Sequence, residues 1–178
     1  MISADLPIAD IKRCSRDAAF MSEVAVILDS LDETVASHTP VCTNRGACCK
    51  FESYGHDLFV TSVELAYFLG HAEGELLAPV DRSFCPYQQG GSCITRIQRP
   101  VGCRIYFCEE RSQHWQGDLT ESTLSELAKI GDKFKLQYAY LEWTTALRKL
   151  ADRVIDAPLA RSGDGPVTLS IDSLPKRS

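Results

Sequence analysis

Phe84-Cys-Pro-Tyr-Gln-Gln-Gly-Gly-Ser-Cys-Ile-Thr-Arg-Ile-Gln-Arg-Pro-Val-Gly-Cys-Arg-Ile-Tyr-Phe-Cys108 is the stretch from which the rest of the chain is best read. It holds Cys85, Cys93, Cys103 and Cys108, interrupted by glycine and proline. Gln88-Gln-Gly-Gly-Ser92 predicts a hairpin-type turn between Cys85 and Cys93. Arg99-Pro100 breaks the chain again before Cys103, because the residue preceding a proline avoids the helical region. A second group, Cys42-x5-Cys48-Cys49, lies in the short irregular segment from Val41 to Lys50. Irregular segments of this kind let several sulfurs approach one small volume from different directions, as a metal site requires.

Outward from these segments the pattern turns helical. From Leu6 to Ala36, Met21, Val24, Leu28, Leu31 and Val35 recur at spacings of three and four, the signature of one apolar helix face. Pro7 suits the first turn, and His38-Thr-Pro40 ends the run. Cys14, seven residues before Met21, falls on the same face and reads as a buried small hydrophobe rather than a ligand. Between the cysteine groups a strand is expected around Asp57–Val60. Thr61 and Glu64 then have capping-box spacing, opening a helix through Leu65, Phe68 and Leu69 to Gly70. A further short helix is expected over Ala72–Leu77, before Pro79. A long helical stretch is predicted from about Leu119 to Val154, started by Asp118 and Glu121 and weakened or divided at Gly131. Its stripe of Trp143, Leu147, Leu150 and Val154 reads as core packing.

The expected fold is therefore mainly α with a small β component. A single domain, residues 1–157 with its core motif at 41–108, packs a loop-rich cysteine cluster against N- and C-terminal helices. Residues 158–178, rich in Gly, Pro, Ser and charge, are expected to form a loosely ordered tail.

The chain has 178 residues, 44% of them hydrophobic, with 19 Lys+Arg against 24 Asp+Glu and a net charge of -5. That apolar content excludes wholesale disorder. No stretch reaches the roughly 18 apolar residues a membrane span needs. Met1-Ile-Ser-Ala-Asp5 lacks the basic start of a secretory signal, so a cytoplasmic protein is expected. A mildly acidic chain is a poor non-specific binder of nucleic acid. Eight cysteines allow four disulfides, but disulfide frameworks belong mainly to short secreted domains. In a reducing compartment clustered thiols point first to metal ligation, with thiol redox chemistry as a rival.

Zinc takes four thiolates at about 2.3 Å in a tetrahedron; an iron–sulfur cluster takes four around a larger core. Either leaves a net negative site. From Arg82 to Cys108 there are four arginines (Arg82, Arg96, Arg99, Arg104) and no acid, and Arg45 and Lys50 flank the other cysteines. These cations would offset the charge and favour the thiolate. Seven clustered cysteines exceed one four-ligand site, and the side chains of neighbours such as Cys48 and Cys49 tend to diverge. Three arrangements stay open: one tetrathiolate site with spare thiols, a cluster with a second mononuclear site, or a site completed by His38 or His56. There is no P-loop, dinucleotide-binding glycine motif, G-x-S-x-G or HExxH.

Cys85-Pro-Tyr-x5-Cys93-x5-Arg99-Pro100-x2-Cys103-Arg104-x-Tyr106-x-Cys108 resembles the second half of a bacterial cysteine-cluster family (YkgJ-like), described as zinc- or iron-chelating. Cys42-Thr-Asn-Arg45-Gly-Ala-Cys48-Cys49 is similar to that family's CxxCxxCC signature, with Arg45 in place of the second cysteine. Leu58-Phe-Val-Thr61-Ser-Val-Glu64 resembles the strand-then-helix between the two cysteine groups. The resemblance covers roughly Val41 to Cys108. It implies Cys42, Cys48, Cys49, Cys85, Cys93, Cys103 and Cys108 as metal ligands. It also implies a structural or charge-balancing role beside the cofactor for Arg99 and Arg104. Arg96 and Phe107 depart from the family's aromatic and proline.

The expectation is a metal-binding protein holding an iron–sulfur cluster, slightly favoured, or zinc. Members similar to a flagellin lysine N-methylase raise an alternative, a metal-dependent modifying enzyme, methyl-transferring or oxidoreductive, in which the place at Arg45 leaves a coordination position open. A third is a structural zinc module for a protein partner. The partner, protein or small molecule, is not specified by the sequence.

Overall fold

A computed structural model describes residues 6–42, 46–72, 76–79, 81–108 and 112–155. The chain is mainly helical with a small β component. Its first helical region is two helices: α1 spans Ile8–Cys14 and α2 spans Ala18–Ser37. Asp17 makes the break, because its carboxylate accepts hydrogen bonds from the Ala19 and Phe20 amides at 2.9 and 3.1 Å and starts a new helix. The expected single helix from Leu6 is corrected accordingly. Cys14 is fully buried, as expected, but at the end of α1 rather than on the face of α2. On α2, Phe20, Val24, Leu28, Leu31 and Val35 are buried and Met21 packs at the edge of the core.

After the cysteine segment, a turn of 3-10 helix at Ala47–Cys49 and α3 (Phe51–Tyr54) lead to strand β1 (Phe59–Thr61) and helix α4 (Ser62–His71). The capping box forms as read. The Glu64 amide donates to Thr61 Oγ1 at 3.2 Å, while Glu64 Oε2 accepts from the Thr61 amide and hydroxyl at 2.7 Å each. Glu64 Oε1 also accepts the Val101 amide at 2.8 Å, so one buried carboxyl fixes both α4 and the start of a later helix. Of the expected helix over Ala72–Leu77, residues 73–75 lie outside the described residues, and residues 72 and 76–79 are not helical.

The hairpin forms from β2 (Gln88–Gln89) and β3 (Ser92–Cys93). Gly90 and Gly91 take φ of 57° and 85°, the left-handed pair that a two-residue type I′ turn requires. Pro100 then caps α5 (Val101–Ile105).

The expected helix from Leu119 to Val154 is three elements. Helix α6 runs Gln113–Lys133, strand β4 is Tyr140–Glu142, and α7 is Trp143–Ile155. The break is not at Gly131, where an added Cβ would meet Val63 Cγ2 at 3.1 Å; glycine there allows α6 close to α4. It comes at Lys135, with φ 53°. The Leu136 amide donates to the Gly131 carbonyl at 2.9 Å and the Lys135 amide to that of Asp132 at 3.2 Å, a Schellman ending with lysine in the usual glycine place.

Strand β4 pairs antiparallel with β1, Val60 opposite Leu141. Each strand runs straight into a capped helix: Thr61 caps α4, and Glu142 accepts from the Thr144 and Thr145 amides at 2.8 and 2.9 Å at the start of α7. Trp143, Leu147 and Leu150 are buried in the core. No helix among the described residues is long and apolar enough to cross a membrane. The expected tail at 158–178 lies outside the described residues.

Candidate metal centre

Three backbone devices bring the cysteine segments together. Gly46, at φ 63°, sets the turn before Cys48 and Cys49, and lies so close to the hairpin that a Cβ would sit 3.0 Å from the Gly91 carbonyl. The Cys85 amide donates to the Cys49 carbonyl at 2.9 Å, tying the two segments. The hairpin then places Cys93 opposite Gln88, and the Cys103 amide donates to the Pro100 carbonyl at 2.9 Å in the first turn of α5.

The result is one small cavity of ≈ 60 Å³ lined by Cys42, Cys48, Cys49, Cys85, Cys93 and Cys103. Six of the seven cysteines singled out in the sequence therefore share a volume. Cys108 is not in its lining; it is exposed and interacts with the Tyr106 hydroxyl. No disulfide links any of the eight cysteines.

The sulfurs form a hydrogen-bonded chain. Cys48 Sγ and Cys49 Sγ are 3.9 Å apart, Cys49 also bonds Cys85, and the Trp143 indole N–H donates to Cys85 Sγ at 3.4 Å. Bonding from Cys49 brings Cys48 down to about 6, against the burial that opposes it. The same partner, with the Trp143 N–H assisting, brings Cys85 down to about 7. Cys49 is itself pushed strongly up by its two thiol partners, and burial pushes Cys103 up. Cys93 Sγ lies 3.5 Å from the Thr95 hydroxyl.

The described lining contains cations and no carboxylate. Arg96 and Arg99 border the cavity, and Arg99 is pinned by donating to the Arg96 carbonyl at 3.1 Å and the Cys103 carbonyl at 3.2 Å. Its charge favours the thiolate at Cys48 and at Cys103. Arg104 faces elsewhere. Its buried guanidinium bonds Asp32 on α2 at 2.5 Å, the Arg99 carbonyl at 2.8 Å and the Ile97 carbonyl. It thus braces the 97–99 loop against the helical body and does not border the cavity. Arg45 lies outside the described residues.

The two histidines differ. His38 stacks on Trp115 with ring centres 4.5 Å apart and does not line the thiol cavity. His56 lies beside them, its Nε2 3.2 Å from the Cys48 carbonyl. A carbonyl only accepts, so Nε2 donates in this contact. Nδ1 is buried and has no hydrogen-bond partner, a deficit of about 1–3 kcal/mol.

Soft thiolates are the ligand type that zinc and iron–sulfur clusters take, and the cavity is lined by six cysteines and two arginines. Among the described residues, however, no three His, Cys, Asp or Glu side chains are arranged so that they could hold a metal ion. The thiols are gathered but not closed into a coordination shell.

Two features were not read from the sequence. Trp143 packs in the core as its stripe predicts, but its N–H on Cys85 depends on strand β4, which has no clear sequence signal. The second is an open groove of ≈ 420 Å³ on the other side of Cys48 and Cys103, bordered by His56, Tyr106 and one face of α6. Gly117 lies in its wall, in the second turn of α6, with nothing within 4 Å of the place a Cβ would take. Glycine there costs α6 about 1 kcal/mol relative to alanine, with no packing reason for it. None of the family models, curated proteins and solved structures compared with the chain matches it.

Proposed function

We propose that the protein binds an iron–sulfur cluster or zinc through Cys42, Cys48, Cys49, Cys85, Cys93 and Cys103, in a reducing compartment such as the cytoplasm. The observation that carries this reading is the convergence of six cysteines from two segments on one cavity bordered by Arg96 and Arg99. Six thiols exceed the four that one zinc ion or one iron–sulfur cluster takes, so either group would leave spare thiols in the cavity. The metal would close the shell by drawing in side chains that each turn about a single χ1 bond, coupling binding to local ordering. Trp143 would donate to a ligand sulfur, and Arg99 would balance charge, the outer contacts that tune such a centre. Cys108 is left to a role outside this cavity.

The test compares Cys85→Ala and Cys103→Ala with Cys14→Ala, all purified without oxygen. The reading expects the first two to lose most of the bound metal while Cys14→Ala keeps it, although Cys14 is the more deeply buried. Equal metal content in all three variants contradicts it.

A further inference from the structure

The ≈ 420 Å³ groove has a character opposite to the thiol cavity behind it. Its floor is apolar: Leu58 and Ile105 are buried there, and Gly102 lets α5 approach so closely that a Cβ would lie 2.8 Å from Leu58 Cδ1. Its polar groups favour a donor. Asp57 and Glu121 are carboxylates at its rim, and the His56 ring forms part of its wall. No Lys or Arg is among the described residues that line it. Arg82 reaches Asp57 at 3.4 Å from outside, whereas Glu121 has no ion pair among the described residues. Tyr106, 44% exposed and stacked on His56, offers an aromatic face, which attracts cations. Gly117 keeps the opening wide where any side chain would narrow it.

We propose that this groove is a binding site for a small organic cation, an ammonium or amidinium on an apolar body. The apolar part lies over Leu58 and Ile105, and the charged end faces Glu121 and Asp57. That such a ligand would lie against a metal centre, across the Cys48 and Cys103 wall, rests on the function proposed above; the groove and its charge do not.

The test titrates protein of measured metal content with phenethylammonium and with 3-phenylpropionate, which share a body and differ in charge, following the ring protons of His56 and Tyr106 by NMR. Phenethylammonium is expected to bind saturably and about tenfold more tightly than the anion. Glu121→Gln, at an exposed position, is expected to remove most of that preference. Gly117→Leu is expected to abolish binding without lowering the melting temperature or the metal content. Equal binding of the two probes, binding of neither, or a Gly117→Leu variant that binds as before overturns the proposal. A metal-loaded protein that ignores the cation overturns the groove assignment alone, and a metal-free protein that binds it overturns only the metal reading.

Discussion

Cys48 and Cys103 divide two hollows of contrasting chemistry. On one side is a tight thiol cavity with Arg96 and Arg99 at its border and the Trp143 N–H directed at Cys85. On the other is a groove several times larger, open to solvent, with Asp57 and Glu121 at its rim. The inner side gathers thiols, of which Cys48 and Cys85 are lowered toward the thiolate, beside two arginines; the outer side has carboxylates at its rim and no cation in its described lining. Helix α5 lies between them, so a few residues of backbone hold apart two opposite electrostatic settings.

The comparison breaks most completely if α5 moves. Glu64 holds the Val101 amide as well as the α4 cap, so Glu64→Ala leaves buried donors unmatched and should cost about 2–4 kcal/mol. Urea unfolding measures the loss, and metal retention and cation binding should fall together. Trp143→Phe keeps a ring in the core but removes the donor to Cys85. It should cost about 1 kcal/mol and alter the visible or thiolate spectrum while leaving the groove's binding untouched. Gly117→Ala acts on the outer side only, raising stability by about 1 kcal/mol or slightly less, read as a higher melting temperature with an unchanged metal spectrum.

The smallest effect is a pH dependence through the cap that carries Trp143. Burial raises the pKa of Glu142, but hydrogen bonds from Thr144 and Thr145 outweigh it and hold the carboxyl below 4.5. A depressed folded value means that its contribution is complete above pH 4.5 and is lost as the pH falls through the folded value. Stability measured against pH should therefore decline on that acid side, and Glu142→Gln should flatten the decline.

Local chemistry explains what could be read in advance. The Thr61–Glu64 cap and the Gln88–Ser92 turn are contained within four or five residues, and both form as read. So does the crowding of cysteines, because it needs only two loop segments and the strand–helix unit between them. Strand β4 was illegible because its partner, β1, lies some eighty residues earlier in the chain and because Lys135 ends α6 where glycine would have announced it. The break at Asp17 was hidden by apolar spacing that continues across it. The groove was missed since its marker, Gly117, is a lone glycine that means nothing until its Cβ position is seen to be empty.

The central claim is that the six cavity cysteines hold metal, and elemental analysis of the intact chain purified anaerobically tests it most directly, with iron, zinc and acid-labile sulfide counted per polypeptide. The account predicts stoichiometric metal that is lost from Cys85→Ala and kept by Cys14→Ala, with iron and sulfide together if the centre is a cluster. A folded protein free of both metals, with all its thiols titratable, would contradict it.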